Sequence, residues 1–97
     1  MKFLKTGPID QQGRLLFDPE LRFVPSGKAV SQFQFEALDG SVIQCEAWES
    51  LAESMAEDGR RQMGITIHGE WRTRNWTDRE DKNHTLNYVL VKQYEWE

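Results

Sequence analysis

Cysteine is almost missing from this sequence of 97 residues, where Cys45 is the single thiol. No internal disulfide framework can form, so the fold must rest on its core, and a lone thiol suits a reducing compartment such as the cytoplasm. Long apolar runs are missing as well. No stretch approaches the roughly 20 residues that cross a bilayer, which argues against a membrane protein. The opening Met1 to Asp10 offers only Phe3-Leu4 as an apolar centre, too short for a secretory leader. There is no internal repeat, linker or low-complexity segment. A chain this short buries roughly 60–65% of its unfolded surface, so a single domain over residues 1–97 is expected, with no active site built between domains.

An excess of positive charge is also lacking, since the net charge is −4. The average hides a pattern. Residues 36–59 hold seven carboxylates and no Lys or Arg, while residues 60–82 hold six basic groups against four acidic ones. Local field, more than the total, decides where a polyanion docks. Charge alone favours a mixed, solvated surface.

Turn signals divide the chain. Asp10-Gln11-Gln12-Gly13 reads as a polar turn, and Arg14 to Phe17 as a short apolar piece. Leu21 to Val24 is brief and extended, and Pro25-Ser26-Gly27-Lys28 is a strong turn because proline presets one torsion and glycine permits the unusual one. From Ala29 to Ala37 the aromatic residues Phe33 and Phe35 recur at period two, the pattern of a half-buried strand. Asp39-Gly40 marks a hairpin, and Val42 to Trp48 follows with Ile43, Cys45 and Ala47 on one face and Gln44, Glu46 and Trp48 on the other. Ser50 to Glu57 is the one convincing helix: Ser50 and Glu53 have capping-box spacing, Leu51 and Met55 lie a turn apart, and Gly59 is a natural stop. Met63 to Trp76 reads as a long strand bent or bulged near Gly69, and Thr85 to Val91 as the last strand.

The expected fold class is therefore all-β, a five-stranded barrel with one helix between strands three and four. Closure removes sheet edges that so small a protein could hardly cover otherwise. The oligonucleotide-binding (OB) fold has this layout, with its ligand face on the second and third strands and nearby loops.

Catalytic signatures are lacking. His68 and His84 have no cysteine or acidic neighbours at metal-ligand spacing, and Cys45 has core-facing parity. Ser26-Gly27-Lys28 falls short of a phosphate loop because Arg22 stands where that loop needs glycine. No enzymatic activity, cofactor or metal ion is expected. The four tryptophans are more informative. Phe17, Phe33 and Phe35 suit a core, and Trp71 suits the core or a subunit contact by its parity. Trp48, however, shares the polar strand face with Glu46, and Arg72, Arg74 and Trp76 fall on one side of a strand, about 7 Å apart. Two guanidinium groups and an indole in one row can hold phosphates and stack an unpaired base. Alternatively, Trp76 packs a hairpin and the arginines pair with Glu70, Asp78 or Glu80.

Four stretches make the chain resemble the bacterial single-stranded DNA-binding protein family. They are Phe17-Asp18-Pro19-Glu20-Leu21-Arg22-Phe23 with Pro25 to Val30, Trp48 to Glu53, Ile67 to Gly69, and Arg72-Thr73-Arg74-Asn75-Trp76-Thr77-Asp78. The resemblance implies an OB barrel, usually a homotetramer, that wraps single-stranded DNA without sequence preference. Trp76 then matches a base-stacking tryptophan, Arg72 and Arg74 match strand-contacting basic residues, and Trp48 matches a position where the family usually stacks a phenylalanine. Arg79 and Lys82 on the hairpin loop, and Lys28, become further candidates to contact the strand.

The departures matter too. Val42 falls near a second family tryptophan without a ring, the hairpin Leu38-Asp39-Gly40-Ser41 is short, and Glu46 brings negative charge to the binding face. The chain ends at Glu97 where family members usually continue into a tail with an acidic tip, so recruitment of partners through such a tip is not expected. The expected partners are single-stranded DNA and further copies of the chain, as a dimer or tetramer, with weaker binding than a full-length relative. Two rivals stay open: a single-stranded RNA binder, and a protein-interaction or assembly module that has lost strand binding.

Overall fold

In the computed structural model, which describes residues 6–97, the polar stretch 10–13 is no turn. It lies inside β1 (Pro8–Leu15), whose alternate residues Ile9, Gln11, Gly13 and Leu15 become steadily more buried. Phe3-Leu4 lies outside the described residues. β1 pairs antiparallel with β5 (Gly64–Thr77) from Pro8↔Glu70 to Arg14↔Gly64, and at its end with β3 (Ala29–Ala37) through Gly13↔Ala37, Arg14↔Glu36 and Leu15↔Phe35. A Cβ on Gly13 would stand 2.1 Å from the Glu36 carbonyl oxygen and 2.6 Å from the Phe35 ring. Glycine is needed there so that two backbones can approach, and the local polarity that mimics a turn is overridden by pairing on both sides.

The remaining elements are β2 (Glu20–Phe23), β4 (Val42–Trp48), the helix α1 (Ser50–Asp58) and β6 (Asn83–Trp96). The sheet order is β1-β5-β6-β4-β3-β2, and the additional β1–β3 pairing closes five strands into a ring. Among the described residues the four-residue β2 pairs with β3 alone and hangs on the ring's outside as a sixth strand. β4 and β6 run parallel where Cys45 faces Val89 and Glu46 faces Leu90. This is the OB-fold barrel expected from the order of elements, with α1 between the third and fourth ring strands.

Inward-facing side chains fill the ring: Leu15, Phe33, Phe35, Ile43, Cys45, Ile65, Ile67, Val89 and Val91, with Met55 of α1 joining the same core. Each fully buried side chain of this size contributes about 1.5–3 kcal/mol. Phe17 does not join them and is 60% exposed. β1 ends at Leu15, so Phe17 lies past the last ring pair.

The start of α1 also departs from expectation. Ser50 is already helical, and Glu49 takes the cap position with φ 57° and no side-chain cap bond. The Glu49 N–H donates to the Ala29 carbonyl at 2.8 Å, extending the β3–β4 pairing, and its carbonyl accepts from the Glu53 N–H at 3.0 Å. Strand pairing thus places the cap one residue early, and no capping box forms. Gly59 does end the helix, but in extended backbone; a Cβ there would meet Met55 O at 2.7 Å and the Trp96 ring at 2.9 Å.

The bend near Gly69 is a register shift. His68 faces Gln93 while Gly69 faces Val91, so Lys92 of β6 is passed over. A Cβ on Gly69 would lie 2.2 Å from the Leu90 carbonyl oxygen. Gly69→Ala should therefore force β5 off β6 and lower stability by about 1–3 kcal/mol or more, measured by chemical denaturation.

Candidate nucleic-acid interface

The outward residues of β3 and β4 face one another as Val30↔Trp48, Gln32↔Glu46 and Gln34↔Gln44. β2 and the Pro25 turn stand beside them, and Arg74 reaches in from β5. Between these elements lies an open groove of about 310 Å³ lined by Arg22, Phe23, Pro25, Gln32, Trp48 and Arg74, among others. Phe23 is 64% exposed on its wall. Gln32 also borders a second depression beside Phe17 and a third beside Leu86 and Tyr88, so three aromatic-walled hollows meet around one side chain. Flat apolar walls with polar groups between them suit unpaired bases, whose π faces stack without regard to sequence.

At the groove floor Glu46 is 4% exposed. Its Oε1 accepts from Trp48 Nε1 at 2.7 Å, and its Oε2 from Gln32 Nε2 at 3.2 Å and from Arg74 at 3.1 Å. The Arg74 guanidinium also lies 4.9 Å over the Tyr88 ring. Partial burial disfavours the charged Arg74, but the charge and hydrogen bond of Glu46, aided by Tyr88, outweigh it and hold the group above its ordinary pKa.

The β5–β6 hairpin carries the second aromatic surface. Trp76 and His84 are cross-strand partners, and their rings stack at 5.2 Å with 17° between planes. His84 Nε2 is 2.7 Å from Asp78 Oδ2, while Asp78 Oδ1 accepts the backbone N–H groups of Glu80 and Lys82. Those bonds lower the Asp78 pKa, the His84 contact leading. One face of the Trp76 indole is thus backed by a fixed ring, and the residue is 46% exposed.

The model of the single-strand binding protein family matches residues 12–96. The chain belongs to this family. It is 35% identical over 95 residues to single-stranded DNA-binding protein 2 of Streptomyces coelicolor, an alignment covering 84% of this chain and 48% of that protein. It is 33% identical over 95 residues to a single-stranded DNA-binding protein of Mycobacterium tuberculosis, covering 84% and 58%. With single-stranded DNA-binding protein 2 of Listeria innocua it shares 29% over 94 residues, covering 87% and 59%. The chain spans about half to three-fifths of the length of these relatives.

For a member of the single-strand binding family, the expected row of Arg72, Arg74 and Trp76 is present on one strand face, but its cations are engaged. Arg72 pairs with Glu70 at 2.7 Å, both about half exposed, and Arg74 pairs with the buried Glu46. Asp78 takes His84 rather than an arginine. Trp48 and Arg74 meet through Glu46, in a groove separate from the hollow around Trp76. Arg79 and Lys82 lie in the turn beyond Trp76, Lys82 being 3.5 Å from Glu80. Lys28 sits apart, in a depression with Phe23, Glu49 and Glu53. Trp71 packs partly buried against the core. Phe23 on the groove wall and Tyr88 in the neighbouring hollow are aromatic residues that sequence reasoning did not assign to the site.

Other reactive groups lie outside this face. Burial pushes the Cys45 thiol up, in keeping with its core position. Among the described residues no three His, Cys, Asp or Glu side chains group to hold a metal ion, and no helix is long and apolar enough to cross a membrane. His68 Nδ1 lies 2.6 Å from Asp10 Oδ1 and its Nε2 3.5 Å from Glu95 Oε1. The Asp10 hydrogen bond leads in raising the His68 pKa, against some desolvation, with both carboxylate charges adding. A raised folded-state value stabilises the fold fully below the unfolded imidazole pKa of about 6.5, and this is lost as pH rises through the raised value. Melting temperature should thus decline between about pH 6 and pH 8 in the wild type more than in His68→Gln, measured by thermal scans at constant salt.

Proposed function

We propose that this chain binds single-stranded DNA without sequence preference. Bases stack on Trp76 and in the groove beside Trp48, which Arg74 walls, while Arg72, Arg79 and Lys82 line the path with positive charge and Lys28 extends it. The observation that carries this reading is the half-exposed Trp76 indole, backed by His84 and continuous in sequence with the arginine row. The names of the relatives, each a single-stranded DNA-binding protein, support it. The Arg72–Glu70 pair is a small obstacle, since an exposed ion pair contributes about 0–1 kcal/mol and Glu70 returns to water when a phosphate replaces it. No group on this face demands a deoxyribose, so single-stranded RNA is the comparison ligand. We take the protein to act in the cytoplasm as a homo-oligomer, following the family resemblance.

A protein-interaction module is favoured by one observation: both arginines of the row already have carboxylate partners. A fluorescence titration with oligo-dT separates the two. Strand binding predicts tryptophan quenching at low salt and an affinity that falls as salt rises, about 0.7 log units per tenfold salt for each phosphate contact. Trp76→Ala should weaken binding by about 1–3 kcal/mol, or roughly 5- to 150-fold, with the fold retained by circular dichroism. Absence of quenching at every salt concentration supports the interaction module instead.

A further inference from the structure

The two arginines of the row face different opponents. Glu70, opposite Arg72, is half in water, whereas the Glu46 side chain opposite Arg74 is 5% exposed. A phosphate that takes Arg72 leaves behind a carboxylate that water can solvate. One that pulls Arg74 Nη2 away from Glu46 leaves a desolvated carboxylate, and breaking such a pair is costly because the remaining charge stays buried. Glu46 is also full. Its oxygens receive Trp48 Nε1 at 2.7 Å, Gln32 Nε2 at 3.2 Å, and Arg74 at 3.3 and 3.1 Å. An ionised carboxylate has about four lone-pair sites, so none remains for the amino group of a base.

We infer that Glu46 is a positioning residue, which sets the Trp48 indole in the groove and holds the Arg74 guanidinium back from phosphates. This deepens, and rests on, the strand-binding reading. Arg74 then contributes shape and anchorage to the groove wall, while Arg72 takes a phosphate. Glu46 keeps the groove open to bases and lowers its pull on the backbone.

Oligo-dT titrations from 50 mM to 1 M salt on the wild type, Glu46→Gln, Arg74→Gln and the double variant test this. Glutamine keeps the size and an acceptor for Trp48 but removes the charge. Glu46→Gln should steepen the salt slope by about 0.7, so its affinity ratio to wild type grows about eightfold between 1 M and 50 mM salt. Adding Arg74→Gln should restore the wild-type slope. Arg74→Gln alone should leave the slope unchanged; because it strands the buried Glu46 carboxylate, the double variant, which leaves no buried charge, decides the matter if a single variant does not fold. An unchanged slope in Glu46→Gln, or a slope lowered by about 0.7 in Arg74→Gln, overturns the inference. Without any DNA, exchange of the Arg74 Nη2 protons, which bond to Glu46, measured by NMR should be slow in the wild type and faster in Glu46→Gln. Equal rates in the two overturn it as well. A wild type that binds no strand at any salt overturns the strand-binding reading itself, whatever the exchange rates show.

Discussion

Everything on the surface of this protein depends on one close contact inside the ring, where β1 passes beside β3 at Gly13. The Glu36 carbonyl and the Phe35 ring leave no room for a side chain there. Because β1 pairs with β5 along most of its length and with β3 at its end, five strands close and no ring strand is left with two free edges. Closure gives the apolar residues one interior to fill and turns the alternate residues of each strand outward. A groove between β2, β3, β4 and the tip of β5 is the outer consequence of that inner constraint.

The outward face carries little free charge despite two arginines in a row. The chain places a carboxylate against each, and the two arrangements differ in kind because water reaches one and not the other. What distinguishes this face is less its net charge than its flat rings: Trp76 over His84, Trp48 tied to Glu46, Phe23 exposed beside it and Tyr88 under Arg74. Stacking tolerates every base and needs no net positive field, whereas phosphate contact does. On the proposed strand-binding reading, a surface built this way favours bases over backbone, in keeping with a chain of net charge −4.

Local signals were legible where local physics decides the outcome. Asp39-Gly40 makes the hairpin, with Gly40 at φ 88°, and Gly27 at φ 90° makes the turn after Pro25. Alternation places Phe33, Phe35, Ile43, Cys45 and Ala47 inside, as found. Reading failed where a distant strand supplies the deciding bond. The polar residues 10–13 imitate a turn because nothing nearby reveals that β5 will pair with them. Ser50 imitates a helix cap because the Glu49–Ala29 bond that fixes the helix start spans twenty residues. Phe17 imitates a core residue because its place beyond the last ring pair depends on closure.

Sequence alone determined that the chain would form a small helix-capped barrel and that Arg72, Arg74 and Trp76 would share a face, because strand periodicity and turn chemistry act between near neighbours. Tertiary structure alone decided that Arg74 would meet Glu46. Arg74 and Glu46 lie on different strands with β6 between them, and they meet because β4 pairs with β6 in parallel while β6 pairs with β5. Glu46, held out of water there, becomes the fixed point that side chains of three strands share.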